Sequence, residues 1–215
     1  MTDDPIQELL KAASYAARKH GDQKRADGFT PYFAHVSRVT LILRHHFKVQ
    51  DNEVLTAALL HDVIEDTNTD HDEIAEIFGA RVARYVILLT KNKLLSKKLR
   101  EAEYERKLRR APEIVQIAKL ADVFDNLSDR VGSNKLPKTA ETAKKWLKIF
   151  KAKLKSTSGK LAHRKVSQLL LEIEAANSKQ PPKAAAPSVS HDGSRRSSRG
   201  RSSPRARRPV RRNPR

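Results

Sequence analysis

The chain has 215 residues, of which 38% are hydrophobic, and it carries a net charge of +19 at pH 7. This length supports one domain with a hydrophobic core plus an appendage, and it is short for two domains. Because the sequence contains no cysteine, it excludes disulfides, thiolate metal ligands and cysteine nucleophiles. Any metal must therefore bind to nitrogen and oxygen atoms.

The N-terminal sequence MTDDPIQELLKAA lacks the basic and then apolar layout of a secretory signal. No apolar run approaches the length needed to cross a bilayer. We therefore expect a soluble, cytoplasmic protein without a membrane partner. The sequence leaves the oligomeric state open.

The positive charge is concentrated near the C-terminus. Residues 183–215 contain one lysine, ten arginines and one aspartate, a net charge of +10. Serine, proline, glycine and alanine make up most of the rest, so this segment cannot bury enough apolar area to offset the entropy of ordering. We predict a folded domain over residues 1–178 and a disordered tail over 179–215. The tail is a candidate for binding nucleic acid or the ribosome, and a solubility appendage is the alternative.

Apolar residues recur at helical spacing in the first third of the chain. The pattern predicts helices over residues 5–19, 32–46 and 52 to about 64, the last one capped by Asp51. The apolar faces of the first two contain Ile6, Leu9, Leu10, Ala13 and Ala17, and Val36, Val39, Leu43 and Phe47. Helical rather than strand-type periodicity therefore begins at the N-terminus.

Helix boundary signals continue along the chain. Asp70 and Glu73 have capping-box spacing, and Gly79 stands where a left-handed residue would end that helix. Pro112 and Pro137 each predict the start of a helix, where the missing amide proton is tolerated. Strand-type alternation is absent from the sequence. We therefore predict an all-α domain of eight or nine short helices.

Polar residues interrupt three of the apolar helical runs. In AALLHDVIEDT, residues 57–67, the pair His61–Asp62 ends an apolar run within a helix predicted to continue through it. His35 follows PYFA at the start of another helix, and Asp122 lies within IVQIAKLADVFDNLSD. A lone buried histidine is more often a core residue bonded to a carbonyl, so the hypothesis depends on all three helices together. A helical bundle can gather such side chains around one metal ion.

The order of His35, His61–Asp62 and Asp122 resembles that of HD-domain metal-dependent phosphohydrolases. Four segments resemble the hydrolase domain of RelA/SpoT homologues, over about residues 5–150: HGDQKRADGFTPYFAH, AALLHDVIEDT, FGARVARYVILLTK and KLADVFDNLSD. Since no synthetase or regulatory domain follows, the chain is similar to the small alarmone hydrolases of the free-standing Mesh1 type. The resemblance implies an HD-domain helical bundle.

The resemblance also implies a metal site formed by His35, His61, Asp62 and Asp122. Two imidazoles and two carboxylates suit a borderline divalent ion. With two further positions open the geometry is octahedral, which favours Mn²⁺ over a closed tetrahedral zinc site. We therefore expect a manganese cofactor.

The resemblance assigns the catalytic role to Glu65 and Asp66, which would orient a water molecule and transfer its proton. The implied reaction removes the 3′-pyrophosphate from guanosine tetra- or pentaphosphate and yields GDP or GTP. Lys24 and Arg25 match the basic pair of the family, whose guanidinium packs on the base, and Asn126 matches a residue that contacts the ribose. Tyr32 and Lys91 are further candidates for substrate binding, whereas Arg130 is expected to be surface charge.

Two positions depart from the family pattern. Val123 stands where a basic residue is usual, and Asp125 where an aromatic residue or histidine is usual. Both lie beside the implied substrate pocket, so the substrate preference stays open. One alternative is an HD phosphohydrolase acting on another phosphorylated nucleotide such as NADPH. A second alternative is a nucleic-acid-binding protein with a vestigial hydrolase site.

Overall fold

A computed structural model describes residues 4–179 of the chain. These residues form ten α-helices and no β-strand, which confirms the all-α prediction and slightly exceeds the predicted number of helices. The predicted tail from residue 180 onward lies outside the described residues, and the boundary near residue 178 stays a prediction. The helices are α1 (Pro5–His20), α2 (Tyr32–Leu41), α3 (Asn52–Leu60), α4 (Val63–Asp66), α5 (His71–Phe78), α6 (Ala80–Leu89), α7 (Lys97–Arg110), α8 (Glu113–Asp129), α9 (Leu136–Phe150) and α10 (Thr157–Lys179).

Local capping explains several of these boundaries. The side chains of Asp4, Asp51 and Asp70 each accept a hydrogen bond from an amide in the first turn of α1, α3 and α5. A π-helical turn, Ile42–His46, extends α2 to the predicted limit of residue 46. Gly79 has a positive φ of 88°, as its predicted role requires, but its ψ of 154° is extended rather than left-handed helical. It therefore redirects the chain from α5 straight into α6.

Two helices are at the centre of the bundle. All residues of α3 from Val54 to Leu60 are buried, and α3 packs against α1, α2 and α6. Helix α8 packs against α2, α9 and α10, and it also touches α3 and α6. A helix that is apolar on every side can be stable only when it is surrounded in this way. Polar side chains on α3 and α8 are therefore in the interior, where a functional site can form.

The helix predicted over residues 52 to about 64 is interrupted, so that prediction is wrong in detail. Helix α3 ends at Leu60, His61 and Asp62 form a turn, and α4 starts at Val63. The Nδ1 atom of His61 donates to the carbonyl of Ala58 at 2.8 Å, which is the acceptor that the amide of Asp62 would use in a continuous helix. The turn brings the His61–Asp62 pair to the end of α3, facing α2 and α8.

Candidate metal centre and substrate cleft

His35 is on the first turn of α2 and is 1% exposed. Its Nδ1 atom lies 2.6 Å from Oδ2 of Asp125 and must carry the proton, because a carboxylate can only accept. The Nε2 atom points the other way and lies 3.3 Å from Oδ1 of Asp122 and 3.7 Å from Oδ2 of Asp62. His35 therefore presents Nε2 to a group of carboxylates from two other elements.

His61 has the same arrangement. Since its Nδ1 atom donates to Ala58, the lone pair is on Nε2, which lies 3.1 Å from Oδ2 of Asp62. This Nε2 atom is buried and has no hydrogen-bond partner among the described residues. Buried polar atoms are rarely left without a partner unless a ligand, an ion or water supplies one. The Nε2 atom of His61 therefore fits a metal ligand.

The residues His35, His61 and Asp62 each offer one ligand atom, and these atoms lie within 4.8 Å of one another. Asp122 lies beside this group, because its Oδ1 atom is 3.3 Å from Nε2 of His35. Its two oxygens accept hydrogen bonds from Asn126 and Lys119, each at 2.5 Å. The structure therefore gathers three of the four predicted ligands tightly, and it places the fourth alongside them with its carboxylate already hydrogen-bonded.

The charges of the cluster favour a cation at its centre. Burial acts to lower the pKa of His61, but the carboxylate of Asp62 outweighs it and raises that pKa to about 9. The hydrogen bonds to Asp122 and Asp125 likewise raise the pKa of His35 against the effect of burial. Burial opposes ionisation of Asp62, yet the nearby imidazoles hold its pKa below the usual range. A divalent ion would supply this positive charge in place of the imidazole protons, so the donor set fits a metal.

The two predicted catalytic carboxylates on α4 differ in their surroundings. Glu65 lines the cleft above the cluster, and its Oε2 atom accepts a hydrogen bond from the amide of Lys91 at 2.9 Å. Burial raises the pKa of Glu65. Asp66 does not line this cleft, and its Oδ1 atom pairs with Nζ of Lys93 at 2.5 Å. Glu65 therefore shares a cleft with the candidate metal site, whereas Asp66 does not line that cleft.

The cleft has a volume of about 310 Å³ and contains most of the predicted substrate residues. The hydroxyl of Tyr32 donates to Oδ2 of Asp62 at 2.6 Å. Arg25 donates through Nη2 to Oδ1 of Asn126 at 3.0 Å, and Lys91 pairs with Glu101 at the same separation. The side chains lining the cleft include those of Arg25, Tyr32, His35, His61, Asp62, Glu65, Lys91, Tyr104, Lys119, Asp122, Asn126 and Arg130.

The structure differs from the expectations for two basic residues. Lys24 is exposed and is not among the residues that line the cleft, so its substrate role stays a prediction. Arg130, expected to be surface charge, lines the cleft, and its Nη1 atom donates to Oγ1 of Thr139 at 2.7 Å. The cleft therefore includes a basic residue, Arg130, that was expected to be surface charge.

Two further cleft residues were missed from the sequence. Tyr104 on α7 is buried, and the ammonium groups of Lys91, Lys107 and Lys119 lie 5.3, 5.6 and 5.4 Å from the centre of its ring. Lys119 is three residues before Asp122 on α8, a spacing that brings the two side chains together. The position of Lys119 near Asp122 could have been predicted from that spacing, whereas no sequence pattern near Tyr104 predicts a position in the cleft.

Fold and site together define a class: helical-bundle proteins with a buried cluster of histidines and carboxylates that fits a metal ion, in a cleft that basic side chains also line. A family model described as HD domain matches residues 12–158. The chain belongs to the HD domain family, in its Mesh1-like branch, as the sequence motifs indicated.

Similar proteins carry consistent names. The chain is 43% identical over 123 residues to "Guanosine-3′,5′-bis(diphosphate) 3′-pyrophosphohydrolase MESH1" of Homo sapiens, which covers 57% of this chain and 69% of that protein. The MESH1 protein of Danio rerio is 41% identical over 122 residues, covering 56% and 68%. A solved structure titled "A metazoan ortholog of SpoT hydrolyzes ppGpp and plays a role in starvation responses" matches with a TM-score of 0.66 and 30% identity. That match covers 82% of this chain and 98% of the other.

Among the described residues, no helix is both long and apolar enough to cross a membrane.

Proposed function

We propose that this protein removes the 3′-pyrophosphate from guanosine tetra- and pentaphosphate in a Mn²⁺-dependent reaction. One observation carries the proposal: His35, His61 and Asp62 form a compact ligand group in a cleft that basic side chains also line. The names of the human and zebrafish relatives give 3′-pyrophosphate removal from guanosine-3′,5′-bis(diphosphate) for those proteins, which supports this reaction for the present chain.

His35, His61, Asp62 and Asp122 would bind the ion. When bound, a divalent ion lowers the pKa of a coordinated water and neutralises charge on a phosphate oxygen. The ligand set of two nitrogen and two oxygen donors supports manganese, since imidazole and carboxylate together suit a borderline ion. The hydrogen bonds from Nδ1 of each histidine, to Asp125 and to Ala58, fix the tautomer that leaves Nε2 free.

Glu65 is the proposed proton acceptor for the attacking water. Its Oε2 atom is fixed by the amide of Lys91, and burial raises its pKa, which makes it a stronger base than an exposed glutamate. Asp66 is the second proposed catalytic residue, and its ion pair with Lys93 favours a supporting role. Glu65 is thus the proposed general base, and Asp66 is proposed to support it.

The substrate carries several negative charges, and the cleft offers cations to meet them. Lys91, Lys119 and Arg130 also line the cleft and would neutralise phosphate oxygens. The guanidinium of Arg25 lies 5.6 Å from the centre of the Tyr32 ring and offers a flat surface for a base. Asn126 would contact the ribose, and Lys24 would assist from outside the cleft.

The test is a nucleotide assay with purified full-length protein. Guanosine tetraphosphate, guanosine pentaphosphate and NADPH are each incubated with Mn²⁺, Mg²⁺ or Zn²⁺, and products are separated by anion-exchange chromatography. We expect GDP or GTP plus pyrophosphate, fastest with Mn²⁺. Release of inorganic phosphate from NADPH alone would favour the other phosphohydrolase reaction. Nucleic-acid binding without any hydrolysis would favour a vestigial site.

We also propose that the arginine-rich tail binds the phosphate backbone of RNA or DNA, because its ten arginines alternate with serine, proline and glycine. The affinity of the full-length protein for nucleic acid should fall steeply as the salt concentration rises. In a plot of the logarithm of the association constant against the logarithm of the salt concentration, each phosphate neutralised should add about −0.7 to −0.9 to the slope. A chain ending at residue 178 should lose this binding and keep its hydrolase activity. Fluorescence anisotropy over a salt series measures the slope.

A full-length variant in which the ten tail arginines are replaced by lysine is the matched control. It keeps the charge, so we expect it to keep the salt slope. Equal nucleic-acid binding by the truncated and full-length chains would instead identify the tail as a solubility appendage.

A further inference from the structure

Asp125 is a buried carboxylate that the proposed chemistry does not use directly. It is on α8, three residues after Asp122, and is 2% exposed. It also stands at one of the two positions where the chain departs from the family pattern. An ionised carboxylate in such a place is costly unless hydrogen bonds and opposite charges compensate for lost hydration.

The compensation comes from two residues of α2. Oδ2 of Asp125 accepts from Nδ1 of His35 at 2.6 Å. Arg38 follows His35 by three residues on α2, and it donates through Nε to Oδ1 of Asp125 at 2.5 Å and through Nη2 to Oδ2 at 3.1 Å. This two-point contact fixes the plane of the carboxylate, and the carboxylate in turn fixes the imidazole ring.

A second carboxylate extends the contacts to the substrate cleft. Oδ1 of Asp129 accepts from Nη2 of Arg38 at 3.0 Å, and its Oδ2 accepts from Nη2 of Arg25 at 2.9 Å. The same Nη2 of Arg25 lies 4.0 Å from Oδ2 of Asp125. We call these four residues, Arg25, Arg38, Asp125 and Asp129, the carboxylate–arginine cluster. Its charges balance, two against two.

We propose that Asp125 is a positioning residue that orients His35 toward the metal site and, through the carboxylate–arginine cluster, holds Arg25 in the substrate cleft. The inference rests on the proposed function, since it assumes that His35 binds a metal and Arg25 a nucleotide. A carboxylate that accepts the free N–H of a metal-bound histidine fixes its tautomer and raises its basicity. Here the same carboxylate also contacts the group that meets the substrate.

Asp125 and Asp129 contact different residues, so their loss should have different effects. Asp125 bonds His35 and Arg38 and lies near Arg25, whereas Asp129 bonds only the two arginines in these contacts. Loss of Asp125 should therefore weaken metal binding and substrate binding together. Loss of Asp129 should weaken substrate binding alone. A purely structural role for Asp125 would not produce this difference.

The experiment compares the full-length Asp125→Ala, Asp125→Asn and Asp129→Asn proteins with the wild type. Mn²⁺ affinity is measured without substrate, from the EPR signal of free Mn²⁺ during titration, and KM and kcat are measured with guanosine tetraphosphate. Asp125→Ala should raise the Kd for Mn²⁺ about 10- to 100-fold, the usual cost of losing such a carboxylate. In Asp125→Asn the amide oxygen can still accept from His35, so the increase should be smaller but measurable.

Asp129→Asn should leave the Kd for Mn²⁺ at the wild-type value and raise KM about tenfold, the usual cost of a lost charged hydrogen bond. Circular dichroism melting checks that each variant folds, and Asp125→Asn carries the test if Asp125→Ala does not fold. Wild-type Mn²⁺ affinity in a folded Asp125 variant would overturn the inference while the proposed hydrolase activity stands. A wild-type protein that neither binds Mn²⁺ nor hydrolyses the alarmone would overturn both.

Discussion

Replacing Asp62 with alanine should abolish turnover and release the metal. The Oδ2 atom of Asp62 lies 3.1 Å from Nε2 of His61 and 3.7 Å from Nε2 of His35, so it is at the centre of the proposed ligand group. Without it, the two buried imidazoles keep only the carboxylate of Asp122 beside them, and that carboxylate already accepts hydrogen bonds from Lys119 and Asn126. Metal catalysis of this kind contributes several kcal/mol, so the rate should fall by at least about 10³-fold.

Metal content by mass spectrometry and turnover by chromatography measure the two effects of Asp62→Ala. Asp72→Ala is a matched control, since the Asp72 side chain on α5 is 97% exposed and contacts only His71 in the described ion pairs. We expect that control to retain both metal and turnover. Full Mn²⁺ occupancy with normal turnover in Asp62→Ala would refute the ligand assignment.

Glu65→Gln should lower kcat while the metal stays bound. Glutamine keeps the shape of the side chain and can still accept from the amide of Lys91, but it cannot take up a proton from water. Loss of a general base typically costs about 10²-fold or more in rate. Because Glu65 is not among the proposed ligands, the Kd for Mn²⁺ should change little.

Asp66→Asn is the comparison for Glu65→Gln. Asp66 pairs with Lys93 and does not line the cleft that Glu65 lines, so its loss should reduce kcat less than the loss of Glu65. Single-turnover measurements separate the chemical step from product release. An unchanged kcat in Glu65→Gln together with a large loss in Asp66→Asn would transfer the proton-acceptor role to Asp66.

Three features could be predicted from the sequence: the helical class of the domain, most helix starts and the identity of the candidate ligands. Helical periodicity and capping are local, so Asp51 and Asp70 could be assigned as caps from their neighbours alone. His35 and the His61–Asp62 pair were found because polar side chains in apolar helical runs are costly without a partner. Local chemistry therefore identified the residue types at the site.

The way these residues meet depends on how the helices pack, which local sequence patterns do not reveal. The end of α3 at Leu60 depends on a side-chain bond from His61 to Ala58, which helical periodicity does not reveal. The separation of Glu65 from Asp66 depends on where the chain after α6 places Lys91 and Lys93. Two residues adjacent in sequence can thus have different surroundings, because different parts of the chain pack against each of them.

The pairing of His35 with Asp125 is the clearest case of a contact that only the fold decides. The two residues are 90 positions apart, and their contact exists because α2 crosses α8 at that point. In the sequence Asp125 was a departure from a family pattern, and in the structure it is the hydrogen-bond partner of a candidate ligand. A side chain's type and spacing follow from the chain, whereas its partner follows from how buried helix faces pack, because many distant residues contribute to that packing at once.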